Sequence, residues 1–219
     1  MTIESVKKKQ ERALEIASRL KRMYPKAKCS LDFTSPFELL IATMLSAQST
    51  DARVNLVTKG LFRKYPGPME FAAAAQPEME RDVKQTGFFR NKAKAVIGAA
   101  RVIMERHGGV VPQTMEELTA LPGVGRKTAN VVLSNAFKKP VGIVVDTHVT
   151  RVSGRLALTA HNDAEKIEQD LMALLPQKEW TPFAHRMILH GREVCVARKP
   201  KCAECDLNDV CPSAEEPRE

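Results

Sequence analysis

The chain has 219 residues, 43% of them hydrophobic, which is enough for one large or two modest globular domains. No apolar run approaches the roughly 18 residues that span a bilayer, so we expect no membrane segment and no membrane partner. The formal net charge of +8 indicates either a polyanionic partner such as nucleic acid or a solvated basic surface.

The N-terminal segment is amphipathic but contains Glu4 and Glu11, and it has no apolar block ending in a cleavage site. A signal peptide or transit peptide is therefore not predicted. Four of the five cysteines crowd near the C-terminus, unlike a disulfide framework spread through a secreted chain. We expect a cytoplasmic protein.

Apolar residues recur at helical spacing along almost the whole chain, so an all-α fold is predicted. Capping boxes begin at Ser35 and Thr114, and Pro77 and Pro182 suit the first turn of a helix. The predicted helices cover residues 2–23, 36–47, 51–64, 68–75, 77–85, 89–107, 114–120, 126–137, 147–156, 163–175 and 182–194. The apolar segment 141–146 is either a short strand or an extended connector, and the composition change near Lys138 marks a candidate domain crossing.

The segment LPGVGRKTANVV, residues 121–132, follows one predicted helix and opens another. Glycines at 123 and 125 allow positive φ and let a ligand approach the backbone, while the amides at the start of the second helix favour an anion. An ordinary turn between helices could also contain G-x-G. The full pattern in a basic chain favours a helix-hairpin-helix that grips a DNA phosphate.

Lys127 stands at the start of this second helix and is predicted to share a face with Asn130 and Ser134, directed at the ligand. A lysine that acts as a nucleophile must first lose a proton. The helix N-terminus, Arg126 and desolvation on substrate binding would all favour that loss, and a nearby carboxylate could accept the proton.

Asp146 supplies such a carboxylate, because it follows the apolar segment and precedes another predicted helix. An aspartate at this place also suits the cap of the helix, and the two roles are compatible. The residue is therefore a candidate for both catalysis and capping.

Cys195, Cys202, Cys205 and Cys211 have the spacing C-x6-C-x2-C-x5-C, and four thiolates can hold zinc or an iron-sulfur cluster. Structural zinc sites usually draw their ligands from two tight pairs, whereas only one C-x-x-C is present here, so the spacing favours the cluster. The basic residues Arg198, Lys199 and Lys201 lie within the loop and would either contact phosphates or be solvated. Cys29 is predicted to be a buried thiol.

Together, LPGVGRKTANVV, VDTH nineteen residues after the lysine, the cysteine spacing, SPFELLIATMLSAQSTD and MILHGREVC resemble the endonuclease III family over nearly the whole chain. The resemblance implies two all-α domains with damaged double-stranded DNA bound in the cleft between them. One is a six-helix barrel, residues 29–140, containing the hairpin at about 114–137. The other joins residues 1–28 to 141–219 and carries a 4Fe-4S cluster on loop 195–211.

The resemblance further implies a DNA glycosylase of base excision repair with an apurinic/apyrimidinic lyase activity, acting on oxidised pyrimidines such as thymine glycol. Lys127 would attack C1′ of the damaged nucleotide, expel the base and form a Schiff base that undergoes β-elimination at the 3′ phosphate. Asp146 matches the aspartate that assists. We expect a monomer, associated with the nucleoid through DNA binding.

Further DNA contacts are implied by the same resemblance. Gln48 matches the residue inserted where the nucleotide flips out, although it could equally cap the turn before Asp51. Phe88 stands where the family often has a leucine wedge, so the wedge geometry and the preferred damage are open; alternatively, Phe88 and Phe89 pack into the following helix. Asp51 and His148 match neighbours of the active site. The remaining expected contacts are Gly123, Gly125, Arg126, Thr128, Arg198, Lys199 and Lys201.

Two alternatives remain at this point. The related adenine glycosylase acting on mismatches shares the hairpin and the cluster, but it typically lacks the lysine at this position and carries a further C-terminal domain. A non-enzymatic DNA-binding protein would use the hairpin as an anchor and the metal loop as a brace. Trapping of a covalent adduct through Lys127 would distinguish the enzyme from a non-enzymatic DNA-binding protein.

Overall fold

The computed structural model describes residues 4–214, and all regular structure in that range is helical. Eleven α-helices lie there: α1 Val6–Met23, α2 Pro36–Leu45, α3 Asp51–Lys64, α4 Pro68–Ala73, α5 Gln76–Asp82, α6 Phe89–His107, α7 Met115–Thr119, α8 Arg126–Asn135, α9 Thr147–Arg155, α10 Ala164–Leu174 and α11 Gln177–Glu193. The all-α fold class is confirmed. None of the helices in this range is long and apolar enough to cross a membrane.

The chain forms two compact units, one comprising Cys29–Val141 and the other the residues up to Lys28 and from Gly142 onward. In the Cys29–Val141 unit, α4 and α5 pack against α6, while α2 packs against α8. Its core is aliphatic around Leu40, Val96 and Leu133, with the rings of Phe37 and Phe71 in edge contact at 5.2 Å. This core holds the hairpin helices α7 and α8 in place.

The other unit is built on α11, which packs against α1 and α9. Ile16 of α1, Val149 of α9 and Phe183 of α11 are fully buried in its core. Because α9 is clamped in this core by its apolar face, the residues at its N-terminus have a defined position.

Most helix ends differ from the sequence prediction by at most four residues, but the predicted start of the last helix at Pro182 is wrong. The helix α11 begins at Gln177, directly after Pro176, and Pro182 lies inside it. An internal proline costs a helix about 3 kcal/mol. Fully buried Phe183 and Met187 each contribute about 1.5 to 3 kcal/mol, which offsets that cost.

Segment 141–146 forms no strand in the structure and is an extended connector. Ile143 and Val145 are buried, whereas Val144 between them is only partly buried, so alternate residues anchor the connector to the core. Its strand-like pattern thus arises from one-sided burial and not from sheet pairing.

Candidate functional site

The turn between α7 and α8 requires a glycine at position 123. Gly123 has φ +75°, and a Cβ atom there would lie 2.7 Å from Cβ of Ala95 and 3.3 Å from Cε of Met44. Both the backbone conformation and the close approach of α6 therefore exclude a side chain. Leu121 and Val124 on either side are buried and are joined by a backbone hydrogen bond of 3.1 Å, which closes the turn.

The glycine at position 125 is required neither by its backbone conformation nor by close packing. Gly125 does not adopt the positive φ that a glycine allows, because it has φ −94° as the N-cap of α8. A Cβ atom added to it would meet nothing within 4 Å. The protein itself does not require a glycine at this position, so the open space above it is available for a ligand that approaches the backbone.

The start of α8 presents backbone donors to solvent. Its N-cap makes no side-chain hydrogen bond. Four amides of this turn donate no hydrogen bond to any described residue: those of Gly123, Gly125, Lys127 and Thr128. These groups and the positive end of the helix dipole form a site suited to an anion.

Lys127, the second residue of α8, is exposed beside these amides, and no hydrogen bond or ion pair links its side chain to a described residue. The predicted shared face is not solvent-facing, however. Asn130 and Ser134 are buried, and the Ser134 hydroxyl donates to Oδ1 of Asn130 at 3.0 Å. The face turns inward after the first helical turn because α8 packs against α2, which leaves Lys127 and Arg126 at the exposed end.

Gln48 lies in the turn after α2 and does not cap α3. Thr50 is the N-cap of α3, and its hydroxyl accepts from the amide of Arg53 at 3.3 Å. Gln48 is exposed with φ 53°, and its side chain makes no hydrogen bond with a described residue. Asp51 lies in the first turn of α3 and is partly exposed. The capping alternative for Gln48 is thus removed.

Phe88 is the N-cap of α6, with φ 46° and 62% of its surface exposed. Its neighbour Phe89 packs against the core instead. A left-handed conformation costs a non-glycine residue about 1 to 2 kcal/mol. Gln48 and Phe88 are therefore two exposed side chains presented by strained turns, a combination typical of functional sites.

Asp146 is the N-cap of α9. Its Oδ1 atom accepts from the amides of His148 and Val149, both at 2.8 Å. The second oxygen, Oδ2, has no hydrogen bond to a described residue. One carboxylate oxygen therefore orients the side chain, while the other stays available for a proton or a positive charge.

His148 and Arg151 connect the start of α9 to the end of α11. Nη2 of Arg151 donates to the carbonyl of Gly191 at 2.8 Å and lies 3.2 Å from Nδ1 of His148. Nε of the same side chain donates to the carbonyl of Cys195 at 3.2 Å. A Cβ atom on Gly191 would lie 3.0 Å from Cβ of His148, so the helices approach closely here. His148 is thus held by the protein and is partly buried.

The four C-terminal cysteines line one cavity of about 900 Å³. All four are free thiols of intermediate exposure. Burial raises the pKa of Cys205 and of Cys211, and the negative charges of the neighbouring thiolates raise each further. If all four were ionised, the thiolates would need a positive counter-charge among them.

Arg155 holds the loop that carries these cysteines. Its Nη1 donates to Sγ of Cys195 at 3.3 Å and to the carbonyl of Val196 at 2.8 Å, and its Nη2 donates to the carbonyl of Ala197 at 3.0 Å. The thiol of Cys211 lies 3.6 Å from the carbonyl of Arg155 itself. In residues 4–214, no three His, Cys, Asp or Glu side chains converge as ligands of a single metal ion.

The basic residues of this loop, Arg198, Lys199 and Lys201, are exposed and form no ion pair with a described residue. Lys199 has φ 54°, and the amide of Lys201 donates to the carbonyl of Val194 at 3.1 Å, which closes the loop. The loop therefore presents three positive charges on a fixed backbone. Cys29 belongs to the Cys29–Val141 unit, where it is partly buried against that unit's own core. Burial raises the pKa of its thiol.

Two functional candidates were missed from the sequence, Lys92 and Arg155. Lys92 is a lysine with only 7% of its surface exposed. Arg155 donates hydrogen bonds to the loop that carries the cysteines. A signal existed for Lys92, because its spacing from buried Val96 and Ala99 places it on the apolar face of α6. No comparable pattern indicates Arg155, whose partners lie about 40 residues away.

Comparisons with known proteins identify the family of this chain. The family model described as HhH-GPD superfamily base excision DNA repair protein matches residues 41–177. Endonuclease III from Synechocystis sp. is 55% identical over 207 residues, covering 94% of each chain. A non-covalent endonuclease III–DNA complex matches with a TM-score of 0.89 and 44% identity, covering 94% of this chain and 96% of that one. A trapped covalent endonuclease III–DNA intermediate matches with the same values.

Proposed function

Because this chain belongs to the HhH-GPD superfamily of base excision DNA repair proteins, we propose that it removes oxidised pyrimidines, such as thymine glycol, from duplex DNA. It is a DNA glycosylase related throughout its length to endonuclease III, and damaged DNA is its partner.

Lys127 is the proposed nucleophile. Its uncharged Nζ attacks C1′ of the damaged nucleotide, the C1′–N bond breaks, and the base leaves with a proton. Opening of the sugar ring gives a Schiff base between Nζ and C1′. Loss of a proton from C2′ then breaks the C3′–O bond and releases the 3′ phosphate, and water finally frees the lysine. The exposed position of Lys127 beside unbonded amides supports this role, because a phosphate held there would bring the adjoining sugar to the amine.

Asp146 is proposed to assist through Oδ2. That oxygen can take the proton that Lys127 loses and can stabilise positive charge developing on the sugar. Oδ1 stays bonded to the amides of His148 and Val149, so the carboxylate keeps one orientation during the reaction. Capping and catalysis are then two functions of one side chain.

Binding is proposed to use the hairpin for one phosphate and the cysteine loop for others. The hairpin contributes Gly123, Gly125, Arg126 and Thr128, and the loop contributes Arg198, Lys199 and Lys201. Gln48 and Phe88 would enter the duplex where the nucleotide leaves it, because both are exposed on turns of fixed conformation. Asp51 and His148 would flank the reacting nucleotide.

We propose that the four cysteines hold a 4Fe-4S cluster. Structural zinc sites usually take their ligands from two tight pairs, whereas the single C-x-x-C here is flanked by longer spans, which favours a cluster. All four thiols line one cavity, so they are available as the thiolate ligands that such a cluster requires. When bound, the cluster would cross-link loop 195–211 through its iron–thiolate bonds and would neutralise the buried thiolates. We further propose that the protein acts as a monomer in the cytoplasm, where its DNA substrate lies.

The observation that carries this proposal is the exposed amine of Lys127 beside the unbonded amides of the hairpin. The test is borohydride reduction of the protein incubated with a duplex containing thymine glycol or an abasic site, followed by denaturing electrophoresis. Wild type should give a covalent adduct, and Lys127→Gln should give none while still binding the duplex. Lys166→Gln, the same change at an exposed lysine of α10, is the matched control and should trap like wild type.

Absence of an adduct from wild type on every damaged duplex would overturn the enzyme proposal and leave a DNA-binding protein. An adduct that persists in Lys127→Gln would show that another residue is the nucleophile. For the cofactor, iron and sulfide analysis with visible absorption should show a cluster. Purified protein that is colourless and contains zinc without iron would contradict it.

A further inference from the structure

Lys92 is a buried lysine that the mechanism above does not use. It lies in the first turns of α6 with 7% of its surface exposed. Its Nζ donates to the carbonyl of Leu45 at 2.8 Å and to the carbonyl of Thr86 at 2.7 Å. One ammonium group therefore joins two backbone segments that are about forty positions apart in the chain.

The two accepting carbonyls lie at the bases of the two strained turns. Leu45 is the last residue of α2, three positions before Gln48. Thr86 ends the 3-10 turn Lys84–Thr86, two positions before Phe88. Both Gln48 and Phe88 have positive φ and exposed side chains. The Lys92 ammonium is thus bonded to the base of each turn that presents a side chain for insertion.

Filling space does not account for a lysine at this position. A methionine is of similar length and would occupy the site without desolvation of a charge. Burial lowers the pKa of Lys92, which shows that the environment disfavours its charged form. The function of the Lys92 ammonium is therefore to donate hydrogen bonds to the two carbonyls. The negative end of the α2 dipole at Leu45 also attracts its positive charge.

We infer that Lys92 is a positioning residue for nucleotide extrusion, whose ammonium holds the Gln48 turn and the Phe88 turn at a fixed separation so that both side chains enter the duplex together. The inference rests on the proposed insertion roles of Gln48 and Phe88. It adds a residue that touches neither the DNA nor the reacting atoms. Its effect is confined to substrates in which a gap in the duplex must be filled.

The test compares two substrates in Lys92→Met. The first is a duplex with thymine glycol, in which single-turnover base excision requires extrusion. The second is a single-stranded oligonucleotide with an abasic site, in which borohydride trapping needs Lys127 but no insertion into a duplex. We expect Lys92→Met to slow excision from the duplex by about 10- to 100-fold, as misplacement by about 1 Å does. Trapping on the single strand should stay within about twofold of wild type, as should both activities of the control Lys166→Met.

A double-mutant cycle tests whether Lys92→Met slows excision through Gln48 and Phe88. In a Gln48→Ala, Phe88→Ala background, Lys92→Met should slow excision by less than about twofold, because the side chains that it positions are already absent. Lys92→Gln keeps amide donors and should retain more duplex activity than Lys92→Met. This variant also serves if Lys92→Met does not fold.

Several outcomes would overturn the inference while leaving the proposed function in place. Equal losses on duplex and single strand would assign Lys92 a general structural role, as would failure of both variants to fold. Wild-type rates for Lys92→Met on the duplex, or an undiminished effect in the double-alanine background, would also contradict it. Failure of wild type itself to trap on either substrate would overturn the proposed function, and this inference with it.

Discussion

A Cβ atom on Gly123 would lie 2.7 Å from Cβ of Ala95, so the turn between α7 and α8 packs directly against α6. Gly123 also has φ +75°, whereas Gly125 two residues later has φ −94° and open space around it. The two glycines of one motif therefore have separable roles. The first is required by the fold, whereas the fold leaves the second open for the phosphate whose approach we propose.

Gly123→Ala should destabilise the protein by about 1 to 3 kcal/mol, because it adds both overpacking and a strained backbone conformation. Gly125→Ala should change the free energy of unfolding by less than about 1 kcal/mol, because a small loss as N-cap is balanced by a stiffer unfolded chain. Chemical denaturation of both variants measures this, and DNA affinity should fall in each. Equal stability losses in the two variants would contradict the assignment.

Asp146→Asn should separate capping from catalysis. Asparagine caps a helix about as well as aspartate, so stability should stay within about 0.5 kcal/mol of wild type. Excision should nevertheless fall about 100-fold or more, because the amide cannot accept the proton or stabilise positive charge. Asp146→Ala should in addition lose about 1 kcal/mol of stability. Thermal unfolding and single-turnover excision of the two variants check this. If Asp146→Asn keeps wild-type activity, the only role of Asp146 is to cap α9.

Arg155→Met should loosen the cysteine loop. The substitution removes hydrogen bonds to the carbonyls of Val196 and Ala197 and the interaction with Sγ of Cys195. We expect a loss of about 1 to 3 kcal/mol in stability and faster release of iron to a chelator. Arg106→Met, at an exposed arginine of α6 in the other unit, is the control. Unchanged iron release would show that the thiolates alone hold the loop.

Neutralising the basic loop should change the salt dependence of DNA binding. Replacing Arg198, Lys199 and Lys201 by glutamine should reduce the slope of log affinity against log salt by about 2 to 3, because each phosphate that the protein neutralises adds roughly 0.9 to that slope. Titration by fluorescence anisotropy at several salt concentrations measures the slope. The control replaces three exposed lysines elsewhere, Lys7, Lys21 and Lys166, and should leave it unchanged. Equal slopes for the two triple variants would mean that the loop is solvated and binds no phosphates.

Much of the fold follows from local patterns. The helices α3 and α6 have the predicted bounds, because Thr50 caps one and Gly108 ends the other. The start of α11 does not follow, since a proline usually marks a first turn and here lies inside the helix. Burial of Phe183 and Met187 decides that start, and burial depends on partners far away in the chain.

The site divides in the same way. Lys127, Asp146 and the four cysteines could be chosen from the sequence, because motif spacing and residue chemistry are local properties. The exposure of Lys127 and the inward turn of Asn130 depend on how α8 packs against α2. No spacing rule predicts that packing.

The sequence by itself determined the all-α class, the hairpin and the residue types able to carry the chemistry, because helix periodicity and capping act within a few residues. Only the tertiary structure decided that the ammonium of Lys92 spans two turns and that Arg155 grips the cysteine loop. The two carbonyls that Lys92 joins lie about forty positions apart in the chain, as do Arg155 and Cys195. Such interactions form only where packed helices bring distant segments of the chain to one side chain.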